Sequence, residues 1–153
     1  MTITEKKMNL FDAPDDYYLA HCISADFALG AGIAVEFNRR FNMKNRLNEL
    51  YPNYLESNWY DSIRLRGYIS SDCIMVGRVF NLVTKTHYWN KPTLTSMRYA
   101  LQKMKRCASE YGVTKIAMPK IGCGLDRLKW DDVKAILENE FADTDVEILV
   151  CYK

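Results

Sequence analysis

Lys85 follows directly on the apolar run Val79 to Thr84, so its amine projects from the end of a strand. A lysine there is either a solvated surface charge or a nucleophile. As a nucleophile it needs help, because with a reference pKa of about 10.4 only about one lysine in 2,500 is neutral at pH 7. Asp126 is the available carboxylate if its loop converges on the same rim. Since a paired carboxylate also stabilises the ammonium form, Asp126 is expected to accept a proton during reaction rather than to lower the resting pKa.

Two glycine-bearing loops could supply the anion site such a pair would work beside. Ser24 to Ala34 leads Gly30 and Gly32 into the start of a helix, where free N–H groups and the helix dipole favour a phosphate. Glycines also occur where a loop only needs positive φ, so this segment alone is a weak sign. Pro119 to Arg127 again follows a strand and again offers backbone donors through small residues, and the two loops together point to a diphosphate. Neither carries G-x-G-x-x-G, and no acidic residue ends the next strand to hold a ribose, which disfavours a nicotinamide enzyme.

The remaining reactive side chains have plainer readings. His21 and Cys22 are strand neighbours on opposite faces and cannot act together as base and thiol, so Cys22 is expected to pack in the core. Cys123, between two glycines, fits a loop that needs small side chains better than it fits a reactive thiol. Trp59, Trp89 and Trp130 fit core or rim positions, while His87, Tyr88 and Trp89 could form a mobile lip over a ligand.

These residues need elements to hold them. Tyr17 to Ile23 reads as a strand, and after Gly30-Ala31-Gly32 the four-residue spacing of Ile33, Phe37 and Phe41 reads as one face of a helix. Ile63, Leu65, Gly67 and Ile69 alternate with Arg64, Arg66 and Tyr68, as an outer strand would, whereas Val79 to Val83 is nearly all apolar, as a central strand would be. Pro92 suits the first turn of a helix carrying Leu94, Met97, Leu101, Met104, Ala108 and Tyr111 and closing at Gly112. Lys115 to Met118 is a short strand, Trp130 to Phe141 a helix whose Asp131 and Asp132 suit its positive end, and Val146 to Tyr152 a last strand. Alternation of this kind implies an α/β fold with a largely parallel sheet covered on both faces. Ligands bind at the carboxyl ends of such strands, which nominates the loops after Ile23, Val83 and Met118.

Length and composition set outer limits. At 153 residues, with 48% hydrophobic and 26% charged residues and no low-complexity linker, residues 1–153 are expected to form one domain. No apolar run approaches the roughly 20 residues of a membrane span, and Met1 to Lys7 lacks a signal-peptide core, so a cytoplasmic site is expected, or a nuclear one if the source has a nucleus. Five cysteines without a C-x-x-C pair, beside two histidines, argue against structural zinc and a disulfide framework. A net charge of +2 is too small to indicate nucleic acid by itself, and Arg39, Arg40, Lys44, Arg46, Arg64 and Arg66 read as a solvated face.

Taken together, His21-Cys22-Ile23-Ser24, Gly30-Ala31-Gly32-Ile33-Ala34, Lys85 and Pro119-Lys120-Ile121-Gly122-Cys123-Gly124-Leu125-Asp126-Arg127-Leu128 resemble the macrodomain family, in the branch typified by terminal ADP-ribose protein glycohydrolase, also called O-acetyl-ADP-ribose deacetylase. The likeness runs from about Ile3 to the carboxyl terminus, with extra residues around Tyr51 to Tyr60. Other macrodomains usually show N-A-A-N where this chain has H-C-I-S, which favours the lysine-dependent branch.

The resemblance implies a three-layer α/β/α fold with a mixed, largely parallel sheet, no cofactor and no metal. It makes Lys85 the nucleophile that attacks the anomeric carbon of the distal ribose, giving a covalent lysyl-ADP-ribose, and Asp126 the acid/base that completes release. Ser24, Leu10 and the loop Lys120, Ile121, Gly122, Cys123, Gly124 and Leu125 match substrate-contacting positions, Gly30, Ala31, Gly32, Ile33 and Ala34 flank the distal ribose, and Tyr152 and Lys153 flank the adenosine. His21, Ile23, Thr84 and Pro119 complete the expected ligand-binding set.

One departure stands out: family members usually have aspartate where this chain has Asn9, so the adenine amino group meets a neutral acceptor here. The implied substrates are ADP-ribose on protein side chains or DNA bases, O-acetyl-ADP-ribose, or ADP-ribose 1''-phosphate, with a non-catalytic ADP-ribose reader as the alternative. A monomer without membrane contact is the default.

Overall fold

The computed structural model describes residues 1–59 and 71–153, with only the backbone of 57–59. The expected strand over 63–69 and the Trp59 side chain therefore lie outside the described residues. Among the described residues, six strands form one sheet: β1 (Thr2–Lys7), β2 (Tyr18–Ser24), β3 (Asp72–Val76), β4 (Val79–Lys85), β5 (Lys115–Met118) and β6 (Glu147–Tyr152), in the order β1-β6-β5-β2-β4-β3. Every neighbouring pair is parallel except β3 with β4. The sheet is therefore mixed and largely parallel.

Side chains along the strands alternate between two apolar layers. Leu19, Ile23, Val79, Val83, Ala117 and Leu149 pack on one face with Phe37, Met43 and Leu47, which come from α1 (Ile33–Phe41) and α2 (Met43–Leu50). Ala20, Phe80, Leu82, Ile116, Met118, Ile148 and Val150 pack on the other with α3 (Leu94–Glu110) and α4 (Trp130–Phe141). Helices on both faces explain why β4 is buried along its length up to Lys85 and reads as nearly all apolar apart from Asn81.

Helix α3 begins two residues later than Pro92 implies. Thr93 is its cap: Thr93 Oγ1 accepts from Ser96 N at 3.0 Å, while Ser96 Oγ accepts from Thr93 N at 3.0 Å. This reciprocal pair satisfies two otherwise orphaned donors, so the helix starts after Thr93 and Pro92 lies outside it. Met97, Leu101 and Met104 are fully buried, each contributing about 2 kcal/mol of burial. Gly112 closes the helix at φ +66°.

Candidate functional site

The parallel trio β5, β2 and β4 lies side by side at the centre of the sheet, so the loops leaving their carboxyl ends converge. They enclose a cavity of about 740 Å³ lined by Ile23, Ser24, the 28–34 segment, Lys85, Tyr88, Lys91, 119–122 and 124–126. All three nominated loops reach it.

A register shift aims the amine. Ile23 pairs with Val83, but the next residue, Ser24, pairs with Lys85, leaving Thr84 as an extra residue on β4. Such a bulge bends a strand and re-aims the side chains beyond it. The ladder then continues, with Ala25 N donating to Lys85 O at 2.9 Å and Asp26 N to Thr86 O at 3.2 Å. Lys85 Nζ reaches Asp126 Oδ1 at 2.7 Å, and the two side chains are only 15% and 14% exposed. A contact this short and this sheltered allows a proton to pass from ammonium to carboxylate without a carrier.

The first glycine loop ends in Gly32, the cap of α1, at φ +60° and ψ −147°, backbone that suits glycine, and no side chain caps the helix. The opening N–H groups of α1 beside Ile33 and Ala34 are thus available to an anion at the cavity wall. In the second loop Gly122 has φ +73°, and a Cβ there would sit 2.7 Å from Met97 Cε and 3.0 Å from Leu128 Cδ1. Only glycine lets this loop fold back, with Leu128 N donating to Gly122 O at 2.7 Å. Lys91 Nζ donates to Leu125 O at 2.7 Å and ties the segment after Lys85 to the loop that carries Asp126.

Several expected ligand positions stand off the cavity wall. Asn9 Oδ1 accepts from Phe11 N at 3.0 Å and caps a short 3-10 turn, Leu10–Asp12, in which Leu10 is buried. Tyr152 is 38% exposed, with the ammonium of the cavity residue Lys120 4.8 Å from its ring centroid, and its carbonyl accepts from Met8 N. This links the Asn9 end of the molecule to the cavity through Lys120.

His21 is fully buried, stacked on Phe37 with ring centroids 3.8 Å apart, and 2.6 Å from Asn81 Oδ1. Because the Asn81 amide nitrogen donates to Ile74 O, its oxygen is the acceptor and the imidazole proton lies on Nε2. Burial pushes the His21 pKa down to about 4, against the opposing bond to Asn81. Among the described residues, no histidine lines the cavity.

Thr84 is buried and walls a smaller polar cavity of about 340 Å³ shared with Lys85 and Lys91. Cys22 packs with the α3 layer while touching the main cavity, and burial pushes its thiol up to about 12. Burial likewise raises Cys123, whose thiol donates to Ile121 O at 3.3 Å.

The lip is tethered. His87 N donates to Asn90 Oδ1 at 2.8 Å, Asn90 N donates to His87 O at 3.0 Å, and Tyr88 N donates to Asp26 Oδ2 at 2.9 Å. Tyr88 and Trp89 remain 63% and 62% exposed, with His87 stacked on Trp89. Asp26 and Lys91 are site residues that the sequence pattern alone does not single out. Asp26 has a local sign, since an acidic residue just after a strand often bonds the N–H two residues on, as it does here to Ala28. Lys91 has none, because its partner lies 34 residues away.

Comparison with known proteins gives a consistent result. The family described as Macro domain matches residues 69–137. The chain is 38% identical over 148 residues to proteins named ADP-ribose glycohydrolase OARD1 in Bos taurus and Homo sapiens, covering 97% of this chain and 90% of each relative. The macrodomain of Mycobacterium tuberculosis DarG superposes with a TM-score of 0.74 at 23% identity, over 99% of this chain and 98% of that one. For the macrodomain of Thermus aquaticus DarG the TM-score is 0.73 at 21% identity, over 99% of both chains. At these identities the structural likenesses bear on the fold alone.

Proposed function

The chain belongs to the macrodomain family, and from that premise we propose that it binds ADP-ribose and hydrolyses the bond joining the distal ribose to a larger group, with Lys85 as nucleophile and Asp126 as acid/base. The observation that carries this reading is the 2.7 Å contact between Lys85 and Asp126 on the wall of a cavity built from two glycine loops. A module that only binds has no need of an amine beside a carboxylate. The name ADP-ribose glycohydrolase, borne by relatives that the chain matches over 97% of its length, supports the same class of reaction.

The chemistry divides into two steps. Asp126 takes a proton from the Lys85 ammonium, and the freed amine attacks the anomeric carbon. A C–N bond forms as the bond to the attached group breaks, and that group leaves with the electron pair and recovers the proton from Asp126. Water then attacks the same carbon, Asp126 accepts its proton and passes it to the Lys85 amine as the C–N bond breaks, which restores the ammonium–carboxylate pair and frees ADP-ribose. One water is consumed per turnover. The diphosphate is held by the N–H groups of the two glycine loops, so binding and chemistry draw on different residues.

The group attached at the anomeric carbon is proposed to be a protein side chain or a DNA base; O-acetyl-ADP-ribose is a further candidate substrate, whose ester would be cleaved by water at the acyl carbon and not by attack at the anomeric carbon. Parallel turnover assays on ADP-ribosylated protein, ADP-ribosylated DNA, O-acetyl-ADP-ribose and ADP-ribose 1''-phosphate test this. Release of ADP-ribose from any of the first three is expected. Turnover of the 1''-phosphate alone would replace the reading with a phosphatase, and tight binding of ADP-ribose with no turnover of any conjugate would replace it with a reader.

A further inference from the structure

Ser24 lines the cavity yet is only 4% exposed, and its hydroxyl donates to Asp26 Oδ1 at 2.6 Å. A serine hydroxyl has one proton and two lone pairs. With the proton committed to a carboxylate, only the lone pairs remain for a ligand. Asp26 is in turn held by backbone donors from two separate segments, Ala28 N to Oδ1 at 3.1 Å and Tyr88 N to Oδ2 at 2.9 Å. Its own N–H is spent on Thr86 O. Three donors therefore converge on one carboxylate, which fixes its plane and leaves Ser24 no alternative acceptor of comparable strength.

We propose that Asp26 is a positioning residue that fixes Ser24 as a hydrogen-bond acceptor, so that Ser24 selects a ligand hydroxyl and disfavours a phosphate or carbonyl oxygen at that point of the cavity. Ser24 pairs with Lys85 across the bulge, so the selected hydroxyl belongs to the sugar next to the bond that Lys85 attacks. This rests on the ADP-ribose reading above. The same carboxylate holds the Tyr88 segment, so loss of Asp26 releases both the lip and the Ser24 hydroxyl. An amide at position 26 has only one accepting oxygen for the three donors, and its NH2 group would face either Tyr88 N, or the Ser24 oxygen together with Ala28 N. In the second case the serine proton is released and its polarity inverts.

The test is a double-mutant cycle with ADP-ribose and ADP as probes, read by calorimetry, with thermal melts run alongside. ADP lacks the distal ribose. Asp26→Asn is expected to weaken ADP-ribose about tenfold in the wild-type background and less than twofold in Ser24→Ala, while ADP affinity changes less than twofold in every variant. A purely structural role for Asp26 gives the same loss in both backgrounds, or an equal loss for ADP, and either result overturns the proposal. Should Asp26→Asn not fold, Asp26→Glu keeps the charge but displaces it, and the same cycle applies with the same outcomes. Wild-type protein that fails to bind ADP-ribose removes the functional reading and this inference together. Wild-type binding with an additive cycle removes the inference alone.

Discussion

Lys91 Nζ donates to Leu125 O at 2.7 Å, a bond that joins the segment following the nucleophile candidate Lys85 to the loop ending in Asp126. Both residues line the cavity, and Leu125 is 63% exposed at its mouth. Lys91→Met removes the donor while keeping most of the aliphatic stem. Turnover is expected to fall about tenfold, or about 1.4 kcal/mol of transition-state positioning, with ADP-ribose affinity changed less than threefold. Steady-state kinetics beside calorimetry checks this, and an unchanged kcat would show that the tie does not set the Lys85–Asp126 geometry.

Asn9 offers an amide oxygen already engaged with Phe11 N at 3.0 Å. An aspartate keeps that cap and adds a charged oxygen for the adenine amino group, so Asn9→Asp is expected to tighten ADP-ribose binding by about 1 kcal/mol, or about fivefold. Equal affinities would mean that residue 9 does not face the base.

Tyr88, which lines the cavity, and its neighbour Trp89 present exposed rings on a turn closed by His87 and Asn90. In the proposed binding mode, a group attached to ADP-ribose passes them on its way out of the cavity. Alanine at both positions is expected to raise KM for a conjugate by about fivefold, the scale of one lost aromatic contact of about 1 kcal/mol. Free ADP-ribose, which carries no attached group to reach them, should bind within twofold of wild type. If both ligands weaken equally, the lip belongs to the ADP-ribose site itself.

Buried His21 carries a pH signature. Its pKa is about 4 in the fold against an ordinary value of 6.5, so below pH 6.5 the unfolded chain takes up a proton that the folded chain refuses. Stability is therefore full above pH 6.5 and falls as the pH drops towards 4, by about 3 kcal/mol from this residue. Urea unfolding at pH 7 and pH 4.5 should show the wild type losing about 2 to 3 kcal/mol more than His21→Gln, which does not titrate. Equal losses would mean that His21 reaches solvent in the folded state.

The strongly periodic elements were legible because one residue type recurs on one face. Met97, Leu101, Met104 and Ala108 on α3, and the nearly all-apolar run of β4, correspond to buried positions in the fold. Helix α2 was not legible, since only Met43 and Leu47 of its eight residues are buried. Neither was β3, whose apolar stretch is only Cys73 to Val76 after Asp72, which pairs with Lys103 and Tyr54. At the site, residue types and glycines pointed to the loops that line the cavity, because strand ends and phosphate loops have local signatures. The bulge that sets Lys85 opposite Ser24, and the Asp26 bonds that span 62 residues to Tyr88, depend on strands brought together only by folding.

The central claim is that the Lys85 amine carries out the chemistry while the glycine loops supply the affinity. Its most direct test is single-turnover hydrolysis of ADP-ribosylated protein or DNA by Lys85→Ala, with ADP-ribose affinity measured on the same sample. Arresting the reaction at the covalent step leaves the diphosphate contacts untouched, so the variant should release no ADP-ribose while binding it within about tenfold of wild type, a difference of about 1.4 kcal/mol or less. Hydrolysis at the wild-type rate by Lys85→Ala would contradict the account and assign the attack to a water molecule that needs no lysine.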